Sequence, residues 1–383
     1  QVADVNGDGL ADIIGFGQDA VFVSLGQSNG TFSSEVVVAN NSFNVNGGGW
    51  TSFDRFPRKV ADVNGDGRAD IIGFGQDAVF VSLGQSNNTI NGGSGNDILN
   101  GGSGNDTING GSGNDTLNGG AGSDTFKGSQ GNDSINGGDG IDTADYSQLG
   151  QSITLSGVGT IKKAGGLGQD QLFKVEKIIA NANVANNTID TSQSLPGVFI
   201  SVNLQTQSLA VNNIPGLGTL PFTVVNFDNV IGTNANDSII GDNQNNQLSG
   251  GNGNDTINGG SGNDRLIGGS GTDLLTGGSG NDIFDFNSVS ESKPGVLRDV
   301  INDFVGNGNL SGDQIDLFNI DANSGTLSVN DAFTFIGANP FTAPAQVRYV
   351  GGILQGNING NLAADFEIRL AGAPQLVASD IIL

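Results

Sequence analysis

The 383-residue chain has no His, no Cys and no Met, and sets only 14 Lys and Arg against 39 Asp and Glu. Without His there is no Ser-His-Asp triad, no zinc site of the H-E-x-x-H kind and no imidazole acid or base. Without Cys there is no disulfide framework, no thiolate nucleophile and no iron–sulfur cluster. A formal charge of −25 offers no basic surface to nucleic acid or to an anionic membrane, so neither is an expected partner. No run approaches the roughly 18 apolar residues of a membrane span. The chain opens Gln1-Val2 without Met or a basic and apolar leader, and it reads as a mature product or a fragment, soluble and not membrane-inserted. Glutamate is scarce too: Glu35, Glu176, Glu291 and Glu367 are the only four, so 35 of the 39 acids are Asp. Short carboxylates beside the 65 Gly belong to tight loops, not to helix faces.

What is present is repetition. Residues 2–29 and 60–87 are the same text apart from Leu10 against Arg68. Each copy gives a loop, a short apolar strand (13–16 in the first), a glycine-bearing turn and a second strand (20–25), and a further strand-like run covers 35–39. One unit suggests a four-stranded antiparallel blade, with Trp50 and Phe53 in packing roles.

From Gly92 the period is nine, with the pattern G-G-x-G-x-D-x-U-x, U being apolar. Six units fill 92–145 and six more fill 232–285. The sixth positions are Asp97, Asp106, Asp115, Asp124, Asp133 and Asp142, then Asp237, Asn246, Asp255, Asp264, Asp273 and Asp282. The eighth are Leu99, Ile108, Leu117, Phe126, Ile135 and Ala144, then Ile239, Leu248, Ile257, Leu266, Leu275 and Phe284. A flexible linker would not hold an apolar residue in register through twelve units. Such a unit buries almost nothing until its neighbours stack upon it. Two units per coil put Asp97, Asp115 and Asp133 along one edge and Asp106, Asp124 and Asp142 along the other. Like charges stacked at about 4.8 Å repel unless a cation neutralises them. Calcium, with 6 to 8 oxygen ligands, suits carboxylates and inward-aimed carbonyls better than magnesium does, while zinc and copper find no His or Cys.

These arrays resemble the RTX, or haemolysin-type, calcium-binding repeats of secreted bacterial proteins. The resemblance implies a parallel β-roll and a calcium-ligand role for the sixth-position Asp residues and for carbonyls of the flanking glycines. Unit 128–136 lacks its second glycine, units 232–240 and 241–249 lack most of theirs, and Asn246 replaces Asp, so sites touching these units are expected to be weak or absent. Downstream, Asp299-x-Ile301-x-Asp303-Phe304, Asp313-x-Ile315-Asp316-Leu317 and Ala364-Asp365-Phe366-Glu367-Ile368 are similar to the C-terminal region of serralysin-type peptidases. The final Asp380-Ile381-Ile382-Leu383 resembles that family's uncleaved type I secretion signal. The loop from Asn357 to Asp365 has calcium-loop spacing but Asn at its first and fifth positions, and does not count as a site.

At the N-terminus, Asp4, Asn6, Asp8 and Asp12 take loop positions 1, 3, 5 and 9, as do Asp62, Asn64, Asp66 and Asp70. Leu10 and Arg68 would add carbonyls at position 7, as in the start of an EF-hand-type loop. This text resembles the FG-GAP repeats of integrin-type β-propellers and some propeller lectins, although a closed propeller needs more blades than one and a half.

The expected fold is all-β. An FG-GAP-like blade and a half with two calcium loops covers 1–90, the first β-roll array 91–145, an irregular β-solenoid insert 146–231, the second array 232–285, and a β-rich cap with the secretion region 286–383. The arrays enclose at most about eight calcium ions and the two loops raise the ceiling to about ten. The expected protein is secreted and extracellular, released or retained at the bacterial surface. It folds when calcium arrives and serves a structural or adhesive role without catalysis. The alternatives are a lectin-like module meeting extracellular or cell-surface glycans, and the non-catalytic tail of an exported enzyme such as a serralysin-type peptidase.

Overall fold

A computed structural model describes residues 87–383 apart from 158, 307–311 and 326–330, and before residue 87 the backbone of seven strands. It falls into two compact units, Gln1–Thr154 with Val158–Val184, and Leu155–Gly157 with Ala185–Leu383. Secondary structure among the described residues is β, with two 3-10 turns and no helix long and apolar enough to cross a membrane.

In the first unit the nonapeptides form parallel strands, each paired with the strand one coil, eighteen residues, away. Thr107–Ser112 lies between Thr89–Ser94 and Thr125–Lys127, with Thr143–Asp145 beyond. Thr116–Ala121 lies between Ile98–Ser103 and Ser134–Asp139. The register stacks Ile90, Ile108, Phe126 and Ala144 in one column and Leu99, Leu117 and Ile135 in another. All twelve eighth-position residues of the two arrays are at most 1% exposed. The core is thus one apolar side chain per nonapeptide, repeated until it is continuous.

So close a stack needs glycine at two points of the turn. Gly111 and Gly113 have φ of +97° and +133°, and a Cβ on either would run into the carbonyl of Gly93 or Gly95 one coil back. Residues with side chains rarely adopt that backbone region, and here they would meet hard backbone as well.

Beyond the first array the roll continues with different text. Ser134–Asp139 pairs in parallel with Gly168–Phe173, which folds antiparallel onto Thr160–Lys163, and Thr143–Asp145 pairs with Lys177–Ile179. Toward the N-terminus, Val2–Ala3, Asp12–Phe16, Ala20–Ser24 and Val36–Asn40 make a four-stranded antiparallel sheet in chain order, as the blade reading expects. Arg58–Ala61, Asp70–Phe74 and Val79–Ser82 repeat the arrangement, and the last pairs in parallel with Ile98–Ser103. Trp50 and Phe53 lie outside the described residues.

In the second unit parallel pairing runs through Thr188–Asp190, Asn229–Ile231, Gln247–Asn252, Arg265–Ser270, Ile283–Asp285, Gln314–Asp316 and Ile381–Ile382, with the eighteen-residue spacing kept from Asn229 to Ile283 and longer connections on either side. The facing series is Phe199–Asn203, Ser238–Ile240, Thr256–Ser261, Leu274–Ser279, Asp299–Ile301 and Phe366–Leu370. Ile189 and Val230 hold fully buried core places without a nonapeptide around them, so the roll begins before residue 232. The antiparallel meander of Phe199–Asn203, Ser208–Ile214 and Gly218–Val225 is not foreshadowed by the period. At the other end Phe366–Leu370 takes Ile353–Asn357 and then Gln346–Val350 in antiparallel pairing. Phe284 and Phe304 (6.2 Å) and Phe333 and Phe366 (5.8 Å) fill the core there.

Candidate metal sites

The eighteen-residue register decides where the aspartates go. Asp97, Asp115 and Asp133 stack along one edge of the first unit, and Asp106, Asp124 and Asp142 along the other. Each is at most 4% exposed. From Asp106 and Asp115 onward each carboxylate uses one oxygen to hold the coil before it. The Asp97 backbone N–H donates to Asp115 Oδ1 at 2.8 Å, and that of Asp115 to Asp133 Oδ1 at 2.9 Å. On the other edge Asn88, Asp106 and Asp124 donate in turn to Asp106, Asp124 and Asp142 Oδ1, each at 2.7 Å. In the second unit Ile200, Asp237 and Asp255 donate to Asp237, Asp255 and Asp273, while Asn246 and Asp264 donate to Asp264 and Asp282.

The other oxygen divides the residues into two groups. In Asp106, Asp115, Asp124, Asp142, Asp255, Asp264, Asp273 and Asp282 the Oδ2 atom is buried without a hydrogen bond. A buried carboxylate oxygen with no donor is costly, because it has lost water and gained nothing. At the units lacking glycines the chain itself supplies the donors. Asp133 Oδ2 accepts from Ser129 Oγ at 3.3 Å and lies 3.5 Å from Lys163 Nζ. Asp237 Oδ2 accepts the Thr233 N–H at 2.6 Å and its hydroxyl at 3.1 Å. Asn246 turns its Nδ2 to the carbonyl of Asp228 at 2.9 Å and accepts the Asp242 N–H on Oδ1 at 2.8 Å.

Beside each orphaned oxygen is a cradle that a methyl group would fill. A Cβ on Gly101 would lie against Asp106 Oδ2 and, at 2.6 Å, the carbonyl of Gly119. A Cβ on Gly259 would meet Asp264 Oδ2 and the carbonyl of Gly277 in the same way. A carboxylate oxygen and a backbone carbonyl facing one small space are the hard donors a calcium ion takes. Among the described residues no three acidic side chains gather into a cluster. Each coil contributes one carboxylate per edge, so further ligands fall to the backbone.

Burial without a counter-charge raises the carboxyls. Desolvation is the leading cause throughout, and it carries Asp255 to about 8, Asp264 to about 7 and Asp106, Asp273 and Asp282 to about 6. Asp115, Asp124, Asp142 and Asp237 move in the same direction. Perturbed carboxylates in a row are what a bound cation relieves.

Several participants escape a search for nonapeptides. Asp170, Glu176, Asp299 and Asp313 accept the N–H of Asp133, Asp142, Asp273 and Asp282 and so continue the ladders past the ends of both arrays. Asp299 Oδ2 is also orphaned, and its carboxyl is raised to about 8, first by burial. The signal is an acid-x-apolar triplet, Asp170-Gln171-Leu172 or Asp313-Gln314-Ile315, stripped of its glycines. A second ladder runs outside the first: the Oδ1 atoms of Asn96, Asn114, Asn245 and Asn263 accept the N–H of Asn114, Asn132, Asn263 and Asn281. The loop 357–365 closes on itself, with Asp365 accepting from the Ile358 N–H at 2.7 Å and Asn359 Nδ2 at 2.6 Å. Asp4, Asn6, Asp8, Leu10, Asp62, Asn64, Asp66 and Arg68 lie outside the described residues, and Asp12 and Asp70, which open strands, are described by backbone alone.

The fold and these edges define a class: a parallel β-roll whose turns present rows of buried carboxylates to a hard cation. Comparison with known families agrees. Residues 82–117 and 109–144 match the model of the RTX calcium-binding nonapeptide repeat, residues 203–383 that of the peptidase M10 serralysin C terminal, and residues 4–73 that of an FG-GAP-like repeat. The chain therefore carries calcium-binding RTX repeats, a serralysin-type C-terminal region that includes the second array, and an FG-GAP-like segment. No curated protein matches it.

Among solved structures, a lectin of Agrocybe aegerita, titled for specific recognition of non-reducing terminal N-acetylglucosamine, is 46% identical over 22% of this chain and 20% of its own, with a TM-score of 0.21. The R3 subunit of a mannuronan C5-epimerase from Azotobacter vinelandii is 27% identical over 39% of this chain and 79% of its own, with a TM-score of 0.28. The extracellular lipase LipA of Serratia marcescens is 18% identical over 78% of this chain and 42% of its own, with a TM-score of 0.26. The chain thus spans a fifth of the lectin and less than half of the lipase.

Proposed function

We propose that this chain is a secreted structural or adhesive protein without a catalytic centre of its own, which folds when calcium binds to the edges of its rolls outside the cell. The observation that carries the reading is the division among the carboxylates. Units with the full glycine complement leave Oδ2 buried and unpartnered, and units without it satisfy the same atom from within. Calcium, when bound, supplies the positive charge that the orphaned oxygens lack. The residues themselves do the rest: Oδ1 fixes each coil to the one before, the glycines keep the cradle open, and the apolar column excludes water. Each repeat contributes so little core that cation binding becomes folding free energy. Millimolar calcium, the range of extracellular modules, suits a chain most of which stays unfolded where calcium is scarce.

Circular dichroism through a calcium titration of chelated protein tests this. The β signal is expected to rise with calcium and not with magnesium, and a full β signal in chelator overturns the proposal.

The serralysin C-terminal match at 203–383 favours a second reading, in which these residues are the non-catalytic tail of an exported enzyme. The catalytic His residues would then be encoded upstream, and the genomic reading frame tests that directly.

A further inference from the structure

One position in the first unit already holds a cation, and it belongs to the chain. Lys163 Nζ lies 2.5 Å from Asp170 Oδ1, 2.7 Å from the carbonyl oxygen of Ser129 and 3.5 Å from Asp133 Oδ2. Its side chain is 0% exposed, as is that of Asp170. Among the described residues it is the only buried Lys or Arg.

The hairpin explains how it gets there. Thr160–Lys163 runs antiparallel to Gly168–Phe173, with Ile161 opposite Asp170 and Lys163 opposite Gly168. Residues 161, 163, 168 and 170 therefore share one face, and Lys163 and Asp170 are diagonal neighbours on it. Gly168–Phe173 also pairs with Ser134–Asp139, which sets Asp170 above Asp133 in the carboxylate row. There Asp170 Oδ1 accepts the Asp133 N–H at 3.1 Å, as each aspartate of the row does for the one before it.

The ammonium sits between oxygens of the same kinds that face the cradles, Asp133 Oδ2 and a carbonyl of the turn, here that of the second turn position, Ser129, and it also takes Asp170 Oδ1, the ladder oxygen of the next coil. Two of the ammonium's three donors are taken in hydrogen bonds by Asp170 Oδ1 and the Ser129 carbonyl, and Asp133 Oδ2 completes the surroundings as an ion pair. The second oxygen of Asp170 is closed by the Tyr146 hydroxyl at 2.8 Å, and a Cβ on Gly128 would strike the Tyr146 ring. At this step the turn carries Ser129 in place of the second glycine.

We infer that Lys163 is a tethered cation filling a divalent-cation position of the row, so that the step from Asp133 to Asp170 closes without metal; this rests on the calcium reading proposed above. Removing the ammonium uncovers a latent site for a hard divalent ion, formed by Asp133, Asp170 and the Ser129 carbonyl. The same closure leaves the end of the first array ordered when calcium is withdrawn.

The test counts calcium ions per full-length chain at saturating calcium, by native mass spectrometry and calorimetry, in wild type, Lys163→Ala and Lys163→Ala with Asp133→Asn. Lys163→Ala is expected to bind one ion more than wild type, and the double variant to return to the wild-type number. In chelator, hydrogen exchange at the Asp133 amide is expected to be slow in wild type and roughly tenfold or more faster in Lys163→Ala, with calcium restoring protection. Equal ion counts in wild type and Lys163→Ala overturn the inference, as does an Asp133 amide that exchanges alike in both. A Lys163→Ala chain that does not fold at saturating calcium overturns it too, because the metal was to replace the ammonium. A wild-type chain that binds no calcium defeats the underlying reading, and the inference with it.

Discussion

An aspartate of the roll is a bifunctional residue, and its two oxygens predict different substitution effects. Asp255→Asn keeps an oxygen for the Asp237 N–H but places an NH₂ donor, or nothing anionic, where Oδ2 faces its cradle. It is expected to lower the number of bound calcium ions, read by calorimetry. Asp237→Asn should leave that number unchanged, since its Oδ2 is already held by Thr233. An equal loss from both substitutions would refute the distinction. Gly101→Ala pushes a methyl group between Asp106 Oδ2 and the Gly119 carbonyl. Overpacking of this kind costs about 1 to 3 kcal/mol, so calcium affinity and melting temperature should fall together. At this scale the sequence is informative where glycine and aspartate keep their spacing, because both are demanded by hard backbone contacts. It is silent on Lys163, which lies 30 residues from Asp133 and reaches it only through a hairpin register that no local pattern encodes.

At the scale of the coil, stability rests on one apolar residue per nonapeptide and on the ladders that bind successive coils. Leu266 is fully buried and stacked on Leu248 and Phe284. Leu266→Ala should cost about 2 to 5 kcal/mol, which denaturant melts of the calcium-loaded protein would register. Asn114→Ala removes one acceptor from the exposed outer ladder and should cost only about 0.5 to 1.5 kcal/mol. The period of nine makes the parallel strands and their columns legible, since an eighteen-residue coil allows only one register that buries all twelve apolar positions. The antiparallel pieces at 160–173 and 199–225 follow ordinary strand propensities without a period, so their partners stay hidden until the fold is known. Asp170, Glu176, Asp299 and Asp313 fall between these cases. Their acid-x-apolar triplets are visible, but without glycines nothing separates them from any other strand.

For the whole molecule, charge and proton binding set the terms. In the metal-free fold Asp255 and Asp299 titrate near 8 and Asp264 near 7, above an ordinary carboxyl in the unfolded chain. The metal-free fold therefore binds more protons than the unfolded chain. This stabilisation is full below a pH of about 4 and is lost as the pH rises through about 6 to 8. Chelated protein is expected to show more β signal at pH 5 than at pH 8.5, the reverse of ordinary acid denaturation. Calcium should invert the trend, since protons then compete for the same oxygens. A chelated chain whose β signal is greater at pH 8.5 than at pH 5 would count against this account.

The carboxylate ladder also gives the molecule a direction. The buried N–H of each array aspartate is satisfied by the coil that follows it in the sequence, whereas the Asn ladder points the other way and is exposed to water. Cutting coils from the back of an array therefore removes the carboxylate acceptor of a buried Asp amide, while cutting from the front removes the acceptors of exposed Asn amides and of strand amides such as that of Thr116, which donates to the Asp97 carbonyl. The carboxylate ladder thus has its open end at the back. Both arrays meet that weakness in the same way: an acid beyond the last nonapeptide, Asp170 and Glu176 in one and Asp299 and Asp313 in the other, receives the final buried amide on each edge. These four residues act as terminators, and a designer shortening or lengthening the arrays would have to carry them along.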